Sequence, residues 1–152
     1  MAILFWVSVI SFLCLKQIIK RMENIEIVKR LYELFSVKDY NGMREILAPC
    51  IQWNQMAGFP GGGRYIGTDK VLEDVFYKFG SDWTIWTATI LRYIHVEQGV
   101  FVIGYYEGVY TATGKYMKAD FACEYRIVEG RIAEFNQYAD TFLIAQAMGL
   151  TK

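Results

Sequence analysis

The sequence predicts an α+β domain in which helices cover the concave face of a curved antiparallel sheet. Between Asn24 and Gly80, apolar residues recur at steps of three and four, which is typical of amphipathic helices. From Trp83 onward they alternate with polar residues, as in strands with one buried and one solvent-facing side. Helices followed by long strands form a two-layer domain. Such a sheet and its helices enclose a cone, and a small apolar ligand would enter at its open end.

Composition favours one domain and excludes several classes of function. The 152 residues are 54% hydrophobic and 16% aromatic, and aromatic side chains can line a cavity as readily as fill a core. Sixteen basic and sixteen acidic residues cancel, which disfavours a nucleic-acid partner. Three widely spaced cysteines and a single histidine suggest neither a disulfide framework nor a metal site. No nucleotide-binding motif occurs, so we expect no cofactor.

The chain opens with an uncharged apolar run, AILFWVSVISFLCL at residues 2–15, which Ile18 and Ile19 extend. About 20 apolar residues are needed to span a bilayer, so the run is short for that purpose. Two interpretations stay open, a membrane anchor formed by residues 2–19 and an over-extended start before Met22. A cleaved signal peptide fits poorly, because the basic residues follow the apolar run. We therefore divide the chain into a segment 1–21 and a domain 22–152, which is cytoplasmic unless the segment anchors it.

Three helices are predicted before the strands begin. The first starts at Asn24, and Asp39 caps a short second helix that Pro49 ends. A brief strand at 50–53 leads into a glycine-rich loop, which is either a lid over a pocket or a plain connector. Thr68 is expected to cap the third helix, which Gly80 ends.

The strands follow as two long pairs. Residues 83–94 and 100–111 alternate in character, and Gly104 and Gly108 mark a bend, a bulge or a close approach of another backbone. The alternating runs 120–127 and 131–135 flank Glu129-Gly130, which predicts an antiparallel hairpin with a positive φ at Gly130. Asp140 or Thr141 then begins a last short helix.

This order of segments resembles the SnoaL-like branch of the NTF2-like (cystatin-like cone) superfamily, which includes ketosteroid isomerase and polyketide cyclases. Three stretches carry the resemblance: IVKRLYELFSVKDYNGMREILAPCIQW, GGGRYIGTDKVLEDVF and GVYTATGKYMKADFACEYRIVEGRIAEFNQYADT. The resemblance implies an NTF2-like cone and a homodimer paired through the sheet. The fold hosts many chemistries, so function must be argued from the site.

The isomerase roles implied by the resemblance do not carry over to this chain. The base would fall at Asn54, the hydrogen-bonding tyrosine at Leu31 and the oxyanion acid at Cys123. An amide cannot accept the proton and a leucine cannot donate a hydrogen bond, so isomerisation of that type is not expected. Relatives in this branch often carry histidine at the position of Cys123, so the thiol is a departure that removes an acid/base imidazole.

Asp140 is the remaining catalytic candidate, because the resemblance places an acid/base aspartate late in the last strand. A carboxylate beside an aromatic cavity would have a raised pKa, which suits proton transfer near neutral pH. The same residue is also a good helix N-cap that needs no chemistry. The other expected ligand-binding residues are Trp53, Asn54, Phe121, Cys123, Gln137 and Tyr138.

Two hypotheses therefore stay open. The first is a cofactor-independent enzyme that performs cyclisation, isomerisation, dehydration or hydrolysis on a small apolar molecule with Asp140. The second is a module that binds such a molecule, or only dimerises, with Asp140 as a cap.

Overall fold

The computed structural model describes the backbone of residues 2–151 and the side chains of residues 12–79 and 81–151. The helices are α1 (Ala2–Ser36), α2 (Tyr40–Ile46), α3 (Thr68–Val71), a π-helical segment (Leu72–Phe76), α4 (Tyr77–Asp82) and α5 (Thr141–Ala147). The strands are β1 (Leu47–Gln55), β2 (Gly63–Ile66), β3 (Trp83–Val96), β4 (Gly99–Tyr110), β5 (Tyr116–Val128) and β6 (Arg131–Ala139). These elements confirm the predicted α+β class and the curved sheet covered by helices.

The six strands form one sheet in the order β2-β1-β6-β5-β4-β3. All neighbours are antiparallel except β1 and β6, which run parallel with Trp53 opposite Phe135. This parallel pair is not expected from the sequence patterns. The predicted hairpin between β5 and β6 is confirmed, and Gly130 has a φ of 74°.

A close approach of β3 and β4 bends the sheet. A Cβ atom on Gly104 would lie 2.2 Å from the carbonyl oxygen of Thr89, and the pairing register shifts between Ile90 and Arg92. Gly108 is similarly tight, because its Cβ would lie 2.9 Å from the carbonyl oxygen of Ile85. Both glycines therefore mark a close backbone approach, as predicted, and a glycine kink beside a bulge is the usual source of sheet curvature.

The helices fill the concave side of this sheet. In α1, Val28, Leu31 and Leu34 are buried, and they recur at the spacing of one helix face. The predicted third helix is one continuous segment from Thr68 to Asp82, and its middle turn is π-helical. π-Helical turns are rare and frequently occur at functional sites.

Three expected boundaries of the second and third helices are wrong. One is Gly80, since the third helix continues past it to Asp82. Thr68 does not cap the third helix, since Gly67 takes the cap position and Thr68 Oγ1 instead donates to the carbonyl oxygen of Ala48 at 2.9 Å. Pro49 does not end α2, which stops at Ile46. Pro49 lies within β1, where the register shift after Leu47 leaves it outside the ladder, and a strand tolerates proline there because no N–H is required.

The N-terminal apolar segment continues directly into the domain, because α1 runs unbroken through the expected start at Asn24. Within the part of this segment whose side chains are described, Phe12, Leu13, Leu15, Ile18 and Ile19 are exposed. The expected anchor at residues 2–19 falls largely on residues 2–11, whose side chains lie outside the described set. Among the described residues, no helix combines the length and the apolar character required to cross a membrane.

The bend at Gly104 can be tested by adding one methyl group. Gly104→Ala should lower the free energy of unfolding by about 1–3 kcal/mol, because the new Cβ meets a backbone oxygen that cannot rotate away. Gly114→Ala is the control, since nothing lies within 4 Å of its Cβ and only its positive φ opposes the change. Urea unfolding measures both variants. A Gly104→Ala protein that unfolds at the wild-type midpoint would contradict this account of the bend.

Candidate functional site

A cavity of about 50 Å³ lies between the helices and the concave face of the sheet. Ten of its fifteen lining residues are aromatic: Tyr32, Phe35, Trp53, Phe59, Phe76, Phe79, Trp86, Tyr106, Tyr125 and Phe135. The other five are Leu31, Gln55, Val75, Ala88 and Gln137. Both helices and strands contribute residues to the wall, so the shape of the cavity depends on how they pack together.

The aromatic rings of the wall are tightly packed. Trp53 stacks on Phe135 with ring centroids 3.7 Å apart. The ring of Phe59 lies 5.5 Å from that of Tyr106 and 5.7 Å from that of Trp86, in tilted and edge-to-face geometry that aromatic pairs favour. The wall therefore has to shift before any molecule larger than a few waters can enter.

A buried polar cluster crosses the inner end of the cavity. Gln137 Nε2 donates to the hydroxyl of Tyr106 at 3.1 Å, and that hydroxyl lies 3.8 Å from Cys123 Sγ. Nearby, the hydroxyls of Tyr32 and Tyr125 are 2.8 Å apart. Gln137 Oε1 is buried and accepts no hydrogen bond from any described residue. An orphaned buried acceptor costs about 1–3 kcal/mol, and a native protein usually has a reason to retain one.

Gln55 ties the glycine-rich loop to β1. Trp53 Nε1 donates to Gln55 Oε1 at 3.0 Å, and Gln55 Nε2 donates to the carbonyl oxygen of Pro60 at 2.8 Å. Phe59, in the same loop, is buried against the cavity. In this conformation the loop closes one side of the cavity.

The inner cavity carries no charge at neutral pH. Its described lining residues include no aspartate, glutamate, histidine, lysine or arginine. Burial raises the pKa of Tyr32, Tyr106 and Tyr125 well above the ordinary tyrosine value. Burial likewise raises the pKa of Cys123 to about 12. The cavity is therefore suited to hydrogen bonding and apolar contact, and poorly suited to proton transfer near pH 7.

Trp53 and Gln137 line the cavity, as expected from the sequence. Phe121 and Cys123 are buried just behind the lining, where both contact Tyr106. The ring of Phe121 stacks on that of Tyr106 at 4.1 Å, and the thiol of Cys123 faces its hydroxyl. These two residues support the wall and do not form it.

The other three expected residues, Asn54, Tyr138 and Asp140, are not among the described residues that line the cavity. Asn54 and Tyr138 each follow a cavity-lining residue, so strand alternation turns them to the opposite face of the sheet. There Asn54 Nδ2 donates to Asn136 Oδ1 at 2.8 Å, and Tyr138 is 51% exposed. Asp140 is exposed at the N-cap of α5, where Oδ1 accepts from the amide of Leu143 at 3.3 Å. Its catalytic role stays a prediction.

The tyrosines of the polar cluster are not among the site residues expected from the sequence. Tyr106 stands between Gly104 and Gly108 on the same strand face, so the alternation alone could have assigned it to the interior. Tyr32 and Tyr125 belong to recognised helix and strand patterns, but nothing in those patterns indicates that their hydroxyls meet.

An open groove of about 550 Å³ adjoins the inner cavity. We call it the mouth groove; it comprises the residues Ser36, Lys38, Tyr40, 83–85 and Thr87, together with six residues shared with the inner cavity. The shared residues are Tyr32, Phe35, Phe76, Phe79, Trp86 and Ala88. A layer of aromatic side chains therefore separates the two spaces.

Lys38 holds an unusual backbone position at the edge of the mouth groove. Its amide donates to the carbonyl oxygen of Phe35 at 3.1 Å, and the amide of Asp39 donates to that of Leu34 at 2.9 Å. This is the Schellman pattern that ends a helix, and its left-handed position is usually glycine. Lys38 has a φ of 57° there, which costs a non-glycine residue about 1 kcal/mol.

The raised pKa of Cys123 predicts a loss of stability in alkali. The thiol ionises near pH 9 in the unfolded chain but near 12 in the folded chain, so the unfolded state releases its proton first as pH rises. Stability should hold to about pH 9 and then fall, with Cys123 contributing a loss of about 2 kcal/mol by pH 10.5.

Urea unfolding at pH 7.5 and 10.5 measures this loss. Cys123→Ala should lose less stability between the two pH values than the wild type, whatever its stability at pH 7.5. An equal loss in both proteins would show that Cys123 does not remain protonated in the folded state.

The SnoaL-like domain profile matches residues 28–135. An NTF2-like protein from Burkholderia thailandensis is 35% identical, with a TM-score of 0.77 over 81% of this chain and 95% of its own. TerC, crystallised with polyporic acid, is 19% identical, with a TM-score of 0.75 over 84% and 98% of the two chains. IdmH from Streptomyces antibioticus, described as a candidate polyketide cyclase, is 20% identical, with a TM-score of 0.68 over 83% and 98%.

The last two similarities, being under 25% identical, concern the fold alone. None of the curated proteins matches the chain. The profile covers more than half of the sequence, and the Burkholderia thailandensis protein shares both sequence and fold with it. The chain therefore belongs to the SnoaL-like family of NTF2-like proteins.

Proposed function

We propose that this protein binds a small, mostly apolar organic molecule in the inner cavity and recognises it through a hydrogen bond to Gln137. The observation that carries the proposal is the orphaned Gln137 Oε1, a buried acceptor in an otherwise aromatic and uncharged cavity. A ligand hydroxyl or N–H would satisfy it. The part of the ligand that lies inside is uncharged, because no described lining residue offers a countercharge.

The size of the cavity requires that the wall opens when the ligand binds. A volume of about 50 Å³ holds a few water molecules, whereas pockets for organic ligands span about 300–1,000 Å³. The adjoining mouth groove is of the latter size. Phe79 and Trp86 are partly exposed and belong to both spaces, so rotation of these rings joins the cavity to the groove. The ligand therefore enters from the mouth groove.

The relatives support a small-molecule function. TerC has the same fold and was crystallised with polyporic acid. IdmH is described in terms of polyketide cyclisation. Binding of an organic molecule within the cone is thus compatible with this architecture.

Catalysis by Asp140 is the alternative that the family resemblance favours. It requires the Asp140 carboxylate within about 3 Å of a reacting proton. In the structure this carboxylate caps α5 and is not among the described residues of the cavity wall. The end of β6 would have to rearrange for it to act, so we favour binding without turnover.

Gln137→Leu tests the proposal, because leucine has a similar size but cannot accept a hydrogen bond. Native mass spectrometry of the full chain purified from cells should find a retained small molecule in the wild type and about tenfold less in Gln137→Leu. In urea, the stability of the ligand-free variant should stay close to that of the ligand-free wild type, because the substitution removes the orphaned acceptor together with the hydrogen bond from Gln137 Nε2 to the Tyr106 hydroxyl.

Asp140→Asn is the matched control, because asparagine caps a helix as well as aspartate does. It should retain the same ligand at wild-type occupancy and change stability by only about a few tenths of a kcal/mol. A wild-type protein without ligand, together with a destabilised Gln137→Leu variant, would contradict the proposal. Accumulation of an unconverted precursor in Asp140→Asn would instead establish the catalytic alternative.

A further inference from the structure

We propose that the mouth groove binds a carboxylate at the outer end of the same ligand. The ligand is then an amphipathic organic acid, with a hydrogen-bond donor at its inner end, an apolar body across the aromatic layer and a carboxylate beside Lys38. This inference rests on the proposed binding function and adds the chemical class of the ligand.

The charge of the mouth groove fits an anion. Lys38 is the one charged residue among the groove's described lining residues, and no acidic residue lines it. Several other lysines are held by carboxylates, for example Lys29 by Glu26 and Lys78 by Asp74. Among the salt bridges of the described side chains, none includes Lys38. Its amine is therefore free to pair with a ligand, and a cationic ligand would find no partner in the groove.

The backbone position of Lys38 is a second, independent observation. The C-terminal end of α1 requires a left-handed residue, and lysine is strained there where glycine is not. Strain retained at the rim of a cavity is typical of functional positions. The Schellman turn fixes the start of the lysine side chain beside the groove, where the amine can be presented.

Trp83 supplies a third observation, from β3 across the groove. Its ring is buried in the groove wall, and Nε1 donates to no described residue. An indole N–H is a donor only, and a ligand oxygen in the groove would satisfy it. The groove thus offers an unused donor and a free cation, whereas the inner cavity offers an unused acceptor at Gln137. A single cation and one N–H match a carboxylate, whereas phosphate sites usually gather several cationic donors.

Three probes test whether the ligand carries a donor at its inner end and a carboxylate at its outer end. They are 5-(4-hydroxyphenyl)pentanoate, its methyl ester, and 5-phenylpentanoate; the flexible chain lets each probe adapt to the length of the site. The two others each differ from the first probe by one group. Isothermal titration of the full chain at pH 7.5 should show the hydroxylated acid binding at least fivefold more tightly than its ester. It should also bind more tightly than 5-phenylpentanoate, because only the phenol satisfies Gln137.

Substitutions at Lys38 separate binding from folding. Lys38→Gly should abolish the preference for acid over ester and leave the affinity for the ester unchanged, while the Tm is not lowered, because glycine suits the left-handed position. Lys38→Arg should retain the preference. Trp83→Phe should weaken both acid and ester, since both carry a carbonyl oxygen that the indole N–H can reach.

The outcomes distinguish this inference from the proposed function. Equal binding of acid and ester by the wild type would overturn the carboxylate site and leave small-molecule binding intact. A preference for the acid that survives Lys38→Gly would overturn the role of Lys38. If none of the three probes binds with a Kd below about 1 mM, a value corresponding to only about −4 kcal/mol, both proposals fail.

Discussion

The concave interior depends on the close approach of β3 and β4 at Gly104. The Thr89 carbonyl oxygen lies 2.2 Å from the position that a Cβ atom on residue 104 would take, so glycine allows the two strands to approach this closely. The bend gives the sheet a concave face. Side chains on this face are removed from water, so they have to be mostly apolar. The aromatic residues of α1, the π-helical segment and β3 meet there, and their packing leaves a small cavity within the hydrophobic core.

The same burial decides the chemistry that this interior can support. Desolvation keeps the Cys123 thiol and the three cavity tyrosines protonated, so they act as hydrogen-bonding groups and not as bases. A histidine at the position of Cys123 would change its charge near neutral pH, whereas a thiol in this environment does not. Specificity in the inner cavity must therefore come from shape and from single hydrogen bonds.

Local patterns were sufficient to predict the class and the hairpin at Gly130, and they limited Gly104 to a bend, a bulge or a close approach of another backbone. Strand alternation also excludes neighbouring residues from sharing a face, so Asn54 and Tyr138 could have been assigned to the outer surface from the sequence. The parallel pairing of β1 with β6 and the contact of Gln137 with Tyr106 could not be predicted, since both join segments far apart in the chain. Neither the orphaned Gln137 Oε1 nor the conformation of Lys38 leaves a signal in the order of residues.

The pairing of β1 with β6 also constrains how the chain folds as it is synthesised. Asn54 and Asn136 are 82 positions apart, and β6 lies between β1 and β5 in the sheet. The ribosome therefore releases β1 and β2 long before β6 exists, and the edge of β1 that faces β6 stays unpaired until β6 emerges. Closing so long a loop is entropically costly and slow, and an unpaired strand edge is the part of a nascent chain that aggregates most readily. The edge of β1 is covered only when the last strand inserts, so the topology of the sheet leaves this edge open to aggregation for most of the synthesis of the domain.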